Sequence, residues 1–188
     1  MAKALLIVDV QNDFTEGGAL AVAGGDDVAA TITRFLAAEA DRYDAVIASR
    51  DWHDGDNDNG GHFSDDPDFI DTWPVHCVAD TDGADYDRLL DTRAITHHVR
   101  KGQGIPAYSA FEGTTETGQR LGDLLDDLGI AEVDIVGIAT DHCVRASVLD
   151  ALAGGRSVRV LGRMVAGVGV ESSARAIEEM RSAGAEIA

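Results

Sequence analysis

The stretch VDIVGIATDHCVR, residues 133–145, determines how the rest of the chain is interpreted. Its first half is a short apolar run, which is typical of a buried strand in a parallel sheet. A polar turn follows, in which Thr140 or Asp141 is placed to cap a helix. The apolar residues of that helix repeat at helical spacing at Val144, Val148, Leu149 and Leu152. The stretch therefore predicts a strand, a tight turn and a helix, with Cys143 in the first turn of the helix.

The position of Cys143 has a chemical consequence. The unpaired N–H groups and the positive dipole end of a helix stabilise an anion. A thiol there is expected to lose its proton more easily and to act as a nucleophile. The alternative is that Cys143 is a small hydrophobic residue of the core. A catalytic role requires a base and a binding site for the electrophile, which the rest of the chain must supply.

Predicted strands and helices alternate on both sides of this stretch. The other predicted strands cover residues 4–8, 45–48, 94–99, 157–161 and 185–187. The other predicted helices cover residues 24–36, 117–128 and 171–182. This alternation predicts an α/β fold with three layers, an open parallel sheet of about six strands with helices on both faces. We expect a single domain over residues 1–188.

Composition limits the possible partners and compartments. The chain has 188 residues, of which 45% are hydrophobic, enough for one well-filled core. Its 15 basic and 34 acidic residues give a net charge of −19, which argues against nucleic acid and anionic membranes as partners. No apolar run approaches a membrane span, and Met1-Ala2-Lys3 leads directly into a strand, so we expect a cytoplasmic protein. The sequence leaves open whether the protein is a monomer or a homo-oligomer.

Four reactive residues lie at or just after the ends of predicted strands. Asp9, Asp51, Lys101 and Cys143 each follow a different strand. Ligands of open parallel sheets bind beyond the carboxyl ends of the strands, so these side chains are expected to meet. Asp9 could then accept the Cys143 proton, and the Lys101 ammonium could favour the thiolate. Taken singly, Asp9 could be a turn former and Lys101 a surface charge.

A second group of residues lies on the long polar loop after the second strand. Asp51 and His53 are two residues apart in extended chain, so both point the same way, and His62 and His76 lie further along the same loop. One carboxylate and three imidazoles suit a divalent ion such as zinc, iron or manganese. The alternative is that these histidines are scattered over a polar surface. A third feature is the turn before Cys143, where backbone N–H groups could form an oxyanion hole.

These residues together resemble the nicotinamidase/pyrazinamidase branch of the isochorismatase-like cysteine hydrolases. The resemblance runs through the whole chain and rests on IVDVQNDF (7–14), DWH (51–53), HF (62–63), WPVHC (73–77), KG (101–102), YSAF (108–111) and GIATDHCV (137–144). The first and last motifs mark the wider superfamily, and the loop with three histidines distinguishes the nicotinamidases.

The resemblance implies a fold, a set of site residues and a reaction. It implies a six-stranded sheet, an Asp9–Lys101–Cys143 triad and a metal held by Asp51, His53, His62 and His76. It also implies an oxyanion hole at Ala139 and Cys143, a cis peptide before Ala139, and a substrate ring between Phe14, Trp73, Tyr108, Ala139 and His142. The implied reaction converts nicotinamide to nicotinate and ammonia, or pyrazinamide to pyrazinoate, through a thioester on the cysteine.

One departure and two alternatives remain open at this point. Residues 54–61, between His53 and His62, form a longer and more acidic link than is usual in the family, which bears on metal affinity and identity. The first alternative is a hydrolase of the same fold that acts on another small amide, such as a carbamoyl or ureido compound. The second is a non-catalytic metal or thiol module, in which Cys77 and Cys143 form a reversible disulfide.

Overall fold

Seven strands and four α-helices form within residues 2–188, the part of the chain that the computed structural model describes. The strands are β1 (Ala2–Val8), β2 (Ala45–Asp51), β3 (His97–Lys101), β4 (Thr114–Thr115), β5 (Ile130–Ile138), β6 (Ser157–Ala166) and β7 (Glu186–Ile187). The helices are α1 (Gly25–Glu39), α2 (Leu121–Asp127), α3 (Arg145–Ala153) and α4 (Val170–Ala183). No helix within residues 2–188 combines the length and the apolar character that crossing a bilayer requires.

The strands form one sheet in the order β4-β3-β2-β1-β5-β6-β7. All neighbours are parallel except β3 and β4, which are antiparallel. The chain therefore builds the sheet in one direction from β1 through β2 to β3, and in the other direction from β5 to β7. Such a reversal opens a crevice at the carboxyl ends of the two central strands. The predicted α/β fold is confirmed, and the additional strand is the two-residue edge strand β4.

The two faces of β1 pack against different helices. Leu5 and Ile7 point to the face that α1 covers, and Leu6 and Val8 point to the face that α2, α3 and α4 cover. Each of these four side chains is at most 1% exposed. A strand with apolar residues at every position is buried on both faces, which is why the continuous run predicted a central strand.

Two predicted elements begin later than the sequence suggested. The third strand was predicted over residues 94–99, but β3 begins at His97 because Thr92–Ala94 form a 3₁₀ turn capped by the Asp91 side chain. The second helix was predicted from Thr117, but α2 begins at Leu121. The segment before α2 closes a turn in which Gly118 has a φ of 82°, a conformation that ends regular structure.

Gly137 brings the ends of the two central strands close together. Its φ is 118°, and a Cβ atom on it would lie 2.1 Å from the Val8 carbonyl oxygen. Only glycine allows the backbone of β5 to approach β1 this closely. The turn after β5 therefore starts beside the end of β1, where Asp9 lies.

Candidate active site

Four strand ends deliver reactive side chains to one edge of the sheet. Asp9 directly follows β1, Asp51 is the last residue of β2, and Lys101 is the last residue of β3. After β5, Thr140–Val144 form a π-helical turn that carries Cys143 and continues into α3. The four side chains belong to residues that are between 0 and 7% exposed. The ends of three strands and the turn before α3 thus bring four buried side chains together.

Lys101 lies at the centre of this group. Its Nζ atom is 3.0 Å from Asp9 Oδ2 and 3.7 Å from Cys143 Sγ. It also donates a hydrogen bond to the Asp51 carboxylate. The structure therefore brings an acid, an ammonium and a thiol into mutual reach, which is the arrangement that the strand ends predicted. A charged amine between two carboxylates also keeps the net charge of this dry region low.

The pKa shifts of these groups define the resting state. Burial raises the pKa of Asp9, although the Lys101 ammonium opposes the shift, and a carboxylate with a raised pKa is a stronger base. Burial would lower the pKa of Lys101, but the Asp51 and Asp9 carboxylates raise it well above its ordinary value. Lys101 therefore stays protonated.

The prediction that Cys143 has a lowered pKa is wrong for the resting site. Burial raises the pKa of the Cys143 thiol well above its ordinary value. The Lys101 ammonium acts in the opposite direction but does not outweigh the loss of hydration and the two nearby carboxylates. The thiol thus rests in its neutral form, and its activation depends on transfer of its proton to a base.

Three histidines face one another on the loop after β2. His53, His62 and His76 each offer a ligand atom, and these atoms lie within 4.8 Å of one another. His53 Nδ1 is 2.8 Å from the Gly102 carbonyl and His76 Nδ1 is 2.7 Å from the Pro74 carbonyl. A carbonyl can only accept, so both Nδ1 atoms carry a proton, and Nε2 is the ring nitrogen of each that is available to a metal.

The cluster fits a divalent metal ion. Within residues 2–188, the buried atoms His53 Nε2 and His62 Nδ1 have no hydrogen-bond partner, and such orphaned atoms are rare unless a ligand satisfies them. Burial lowers the pKa of His62 to about 4 and also lowers that of His76, which keeps both imidazoles neutral, as metal ligation requires. Neutral, convergent imidazoles beside a carboxylate are a donor set typical of zinc.

Asp51 belongs to both groups of residues. One of its carboxylate oxygens pairs with Lys101, and the other, Oδ2, lies 3.8 Å from His53 Nε2 and 3.9 Å from His76 Nε2. Burial would raise the pKa of Asp51, but the Lys101 ammonium and the histidines hold it well below its usual range. Asp51 is therefore ionised, and its charge connects the triad with the histidine cluster.

A cavity of about 350 Å³ opens in front of Cys143. The five predicted substrate-binding residues, Phe14, Trp73, Tyr108, Ala139 and His142, all line it. The Trp73 indole donates to the Tyr108 hydroxyl over 2.9 Å, and its ring centroid lies 5.2 Å from that of His142. The peptide bond before Ala139 is cis, as the resemblance implies. The walls form an apolar aromatic slot suited to a small flat ring.

Asp141, which the sequence placed as a helix cap beside Thr140, has another role. The turn that carries Cys143 starts at Ala139 without a side-chain cap from residues 2–188. The Asp141 carboxylate instead accepts hydrogen bonds from Val168 N at 2.9 Å, Gly169 N at 3.1 Å and the Ser172 hydroxyl at 2.5 Å. It thus ties the turn that carries Cys143 to the start of α4, a long-range contact that local spacing does not reveal.

Comparison with known proteins identifies the family. The family model described as the isochorismatase domain matches residues 3–188. The chain belongs to the isochorismatase family. Among curated members, the nicotinamidase/pyrazinamidase of Mycobacterium tuberculosis is 50% identical over 185 residues, which covers 98% of this chain and 97% of that relative.

Solved structures of the isochorismatase family agree with this assignment. The crystal structure of the pyrazinamidase of Pyrococcus horikoshii in complex with zinc aligns with a TM-score of 0.84 and 35% identity, covering 100% of this chain and 99% of that chain. PnC1 from L. infantum in complex with nicotinate aligns with a TM-score of 0.84 and 29% identity, covering 100% of this chain and 92% of that one. The resemblance to the nicotinamidase/pyrazinamidase branch is therefore confirmed.

Several supporting residues of this isochorismatase-family site were not predicted. The buried Gln11 amide accepts from Asp51 N at 2.8 Å and donates to the Asp51 carbonyl at 2.9 Å. The Ser49 hydroxyl donates to Asp9 Oδ1 at 2.6 Å, and the Lys101 ammonium also donates to the Ala107 carbonyl at 3.2 Å. Gln11 lies within the quoted motif IVDVQNDF, so its place in that motif was the one available signal.

Proposed function

We propose that the protein is a nicotinamidase, an amidohydrolase that converts nicotinamide to nicotinate and ammonia and also acts on pyrazinamide. The observation that carries this proposal is the buried contact of Lys101 with Asp9 and Cys143 at the base of an aromatic cavity. The names of the curated relatives support the same activity, since they are nicotinamidases or nicotinamidase/pyrazinamidases.

The proposed first half-reaction forms a thioester. Asp9 accepts the Cys143 proton, and the thiolate attacks the carboxamide carbon. The negative charge that develops on the carbonyl oxygen is met by the N–H groups of Ala139 and Cys143, and one such donor contributes about 2.7–4 kcal/mol in comparable sites. Asp9 then gives its proton to the amide nitrogen as the C–N bond breaks and ammonia leaves.

The proposed second half-reaction restores the enzyme. Asp9, ionised again, accepts a proton from water while the water oxygen attacks the thioester carbon. The C–S bond breaks, and Cys143 recovers its proton from Asp9. The product forms as the carboxylic acid and becomes the carboxylate when it loses its remaining proton to solvent. Throughout, Lys101 remains charged and limits the cost of the negative charge that moves between the two groups.

A divalent metal fits the residues beside the triad, and we propose that Asp51, His53, His62 and His76 hold it. Among zinc, iron and manganese, the donor set and the zinc-bound Pyrococcus horikoshii relative favour zinc. When bound, the ion supplies a Lewis acid for the ring nitrogen of the substrate. The aromatic walls hold the plane of the ring, so that the carboxamide faces Cys143.

The alternative functions have less support. The walls of Phe14, Trp73 and Tyr108 suit a flat ring, which a linear carbamoyl or ureido compound does not have. A thiol module requires a reactive partner for Cys143, but burial raises the pKa of the Cys77 thiol well above its ordinary value. A neutral buried thiol is a poor partner in disulfide exchange.

The direct test is ammonia release from nicotinamide with a metal analysis of the same purified sample. We expect hydrolysis of nicotinamide and pyrazinamide and close to one equivalent of metal per chain. Benzamide, which has the same shape but no ring nitrogen, serves as the matched control and should be hydrolysed much more slowly. Activity without any metal contradicts the proposed metal site, and metal without ammonia release contradicts the proposed reaction.

His53→Ala tests the ligand assignment. Loss of a direct ligand should weaken metal binding by more than about 100-fold, because even outer-shell partners of metal ligands contribute 10–100-fold. The apparent KM for nicotinamide should rise more than kcat falls, since the metal positions the ring and does not carry the covalent chemistry. His97→Ala is the control, because His97 lies on β3 outside the cluster. Equal metal content in both variants contradicts the assignment of His53.

A further inference from the structure

Asn59 is a buried amide within an otherwise exposed segment. Residues 54–61 connect His53 to His62, and most of them are exposed, whereas Asn59 is 0% exposed. Its φ is 50°, in the left-handed region that asparagine adopts more readily than most residues. A polar side chain that is fully buried in an acidic surface loop requires specific partners, because burying an unpaired amide is costly.

The Asn59 side chain finds those partners on two different parts of the chain. Its Oδ1 atom accepts from Asp54 N at 2.9 Å and from Gly104 N at 3.1 Å, and its Nδ2 atom donates to the Asp54 carbonyl at 2.9 Å. Asp54 directly follows His53, and Gly104 lies in the loop after β3. One amide therefore closes the segment between the two histidines and fastens it to the neighbouring loop.

That neighbouring loop also orients His53. The Gly102 carbonyl accepts from His53 Nδ1 at 2.8 Å, which leaves Nε2 free to bind metal. A Cβ atom on Gly102 would lie 2.5 Å from His53 Cε1, so the loop packs directly against the imidazole ring. On the other side, the backbone carbonyl of Asn59 accepts from His62 N at 3.4 Å. Asn59 thus connects the loop that contains Gly102, whose carbonyl orients His53, to the backbone of His62.

We propose that Asn59 is a positioning residue for the metal site, whose amide holds His53 and His62 in a ligating arrangement before the metal binds. The inference rests on the proposed metal site, and it assigns a role to residues 54–61, the link whose length and acidity departed from the family pattern. Without the side-chain amide of Asn59, Asp54 N and Gly104 N lose a buried acceptor. Residues 54–61 are then no longer fastened to the loop that contains Gly102 and Gly104. The metal must then order the loop itself, which lowers its affinity.

The test compares Asn59→Ala with Gln103→Ala. Gln103 has an exposed side-chain amide and lies between Gly102 and Gly104, so its variant controls for the loss of an amide near the metal site. We expect the dissociation constant for zinc, measured by chelator competition, to rise by about 10–100-fold in Asn59→Ala and to stay unchanged in Gln103→Ala. The visible absorption of the cobalt(II)-loaded protein should change in Asn59→Ala, because it reports ligand geometry. The melting temperature of the metal-free variant shows whether it is folded.

Hydrogen exchange on the unaltered protein gives a test that needs no variant to fold. If Asn59 holds residues 54–61 in place before the metal binds, the backbone amides of Asp54 and Gly104 exchange slowly in metal-free protein, and added metal slows their exchange little further. Fast exchange that only metal slows overturns the proposal, as does an unchanged zinc dissociation constant in folded Asn59→Ala. Failure of the unaltered protein to bind zinc or cobalt contradicts the metal site itself, which is a separate result.

Discussion

Cys143→Ala is expected to lower ammonia release from nicotinamide by more than about ten-thousand-fold, because removing the nucleophile of a covalent mechanism leaves only binding and electrostatic assistance. Within residues 2–188, the groups that adjoin Cys143 at the base of the cavity are the Asp9 and Asp51 carboxylates and the protonated Lys101, none of which can form a thioester. The measurement is kcat/KM from an ammonia assay with enough enzyme to detect a few turnovers per hour.

The fold and the binding functions of Cys143→Ala should remain. The substitution removes one sulfur from a residue that is 7% exposed, so the metal content and the affinity for nicotinamide, measured by calorimetry, should stay close to those of the unaltered protein. Cys77→Ala is the matched control, since Cys77 is also buried but its sulfur has the Gly83 carbonyl as its hydrogen-bond acceptor, whereas the Cys143 sulfur lies 3.7 Å from Lys101 Nζ. Turnover by Cys143→Ala would remove it as the nucleophile, and inactivity of a folded, metal-loaded Cys77→Ala would favour a thiol pair.

The residues of the triad could be predicted because they follow from topology. Alternating strands and helices predict a parallel sheet, and parallel strands end at one edge. Asp9, Asp51, Lys101 and Cys143 each follow or end a different strand, so their convergence could be inferred without coordinates. The continuous apolar run 4–8 predicted a buried strand, and the stretch 133–145 predicted a strand, a turn and a helix.

What could not be predicted depends on contacts between distant segments. Asp51 was expected to lie near the other strand-end residues, but its direct ion pair with Lys101 depends on the register that places Asp51 opposite Lys101 in β2 and β3. Asp141 was placed as a local cap, but its partners lie 27 to 31 residues away. Asn59 and Gly104 are separated by 45 residues. Hydrophobic periodicity carries no information on such pairs.

The pKa of Cys143 illustrates a second limit. The helix N-terminus is a local feature that the sequence displays, and it favours the thiolate. Burial and the charges of Asp9 and Asp51 are properties of the assembled site, and together they raise the pKa of the thiol despite the Lys101 ammonium. The same assembly that brings a base to the thiol also keeps the thiol neutral until the base acts. Local sequence therefore pointed to Cys143 as the candidate nucleophile, but it did not reveal the neutral resting state of its thiol.

Lys101→Met is expected to affect both stability and activity, because Lys101 is the shared counter-ion of two buried carboxylates. Its ammonium lies 3.0 Å from Asp9 and also pairs with Asp51, and all three side chains are at most 4% exposed. Methionine has a similar length but leaves both charges without a partner, and breaking a buried ion pair in this way costs about 3–5 kcal/mol. We expect the free energy of unfolding, measured by urea denaturation, to fall by that amount, and ammonia release to be lost.

Two further variants test whether the loss of stability comes from the unpaired Asp9 and Asp51 carboxylates or from the loss of any lysine. Lys3→Met makes the same substitution at the other lysine, whose partner Asp134 keeps its ion pair with Arg159, so it should cost on the order of 1 kcal/mol or less. In Lys101→Met/Asp51→Asn one of the two orphaned charges is removed, so part of the lost stability should return while ammonia release stays absent. If Lys101→Met unfolds at the same urea concentration as the unaltered protein, or if the second substitution destabilises it further, unpaired carboxylates are not the cause. The buried charges at the strand ends would then require a different counter-ion from the one that the structure places between them.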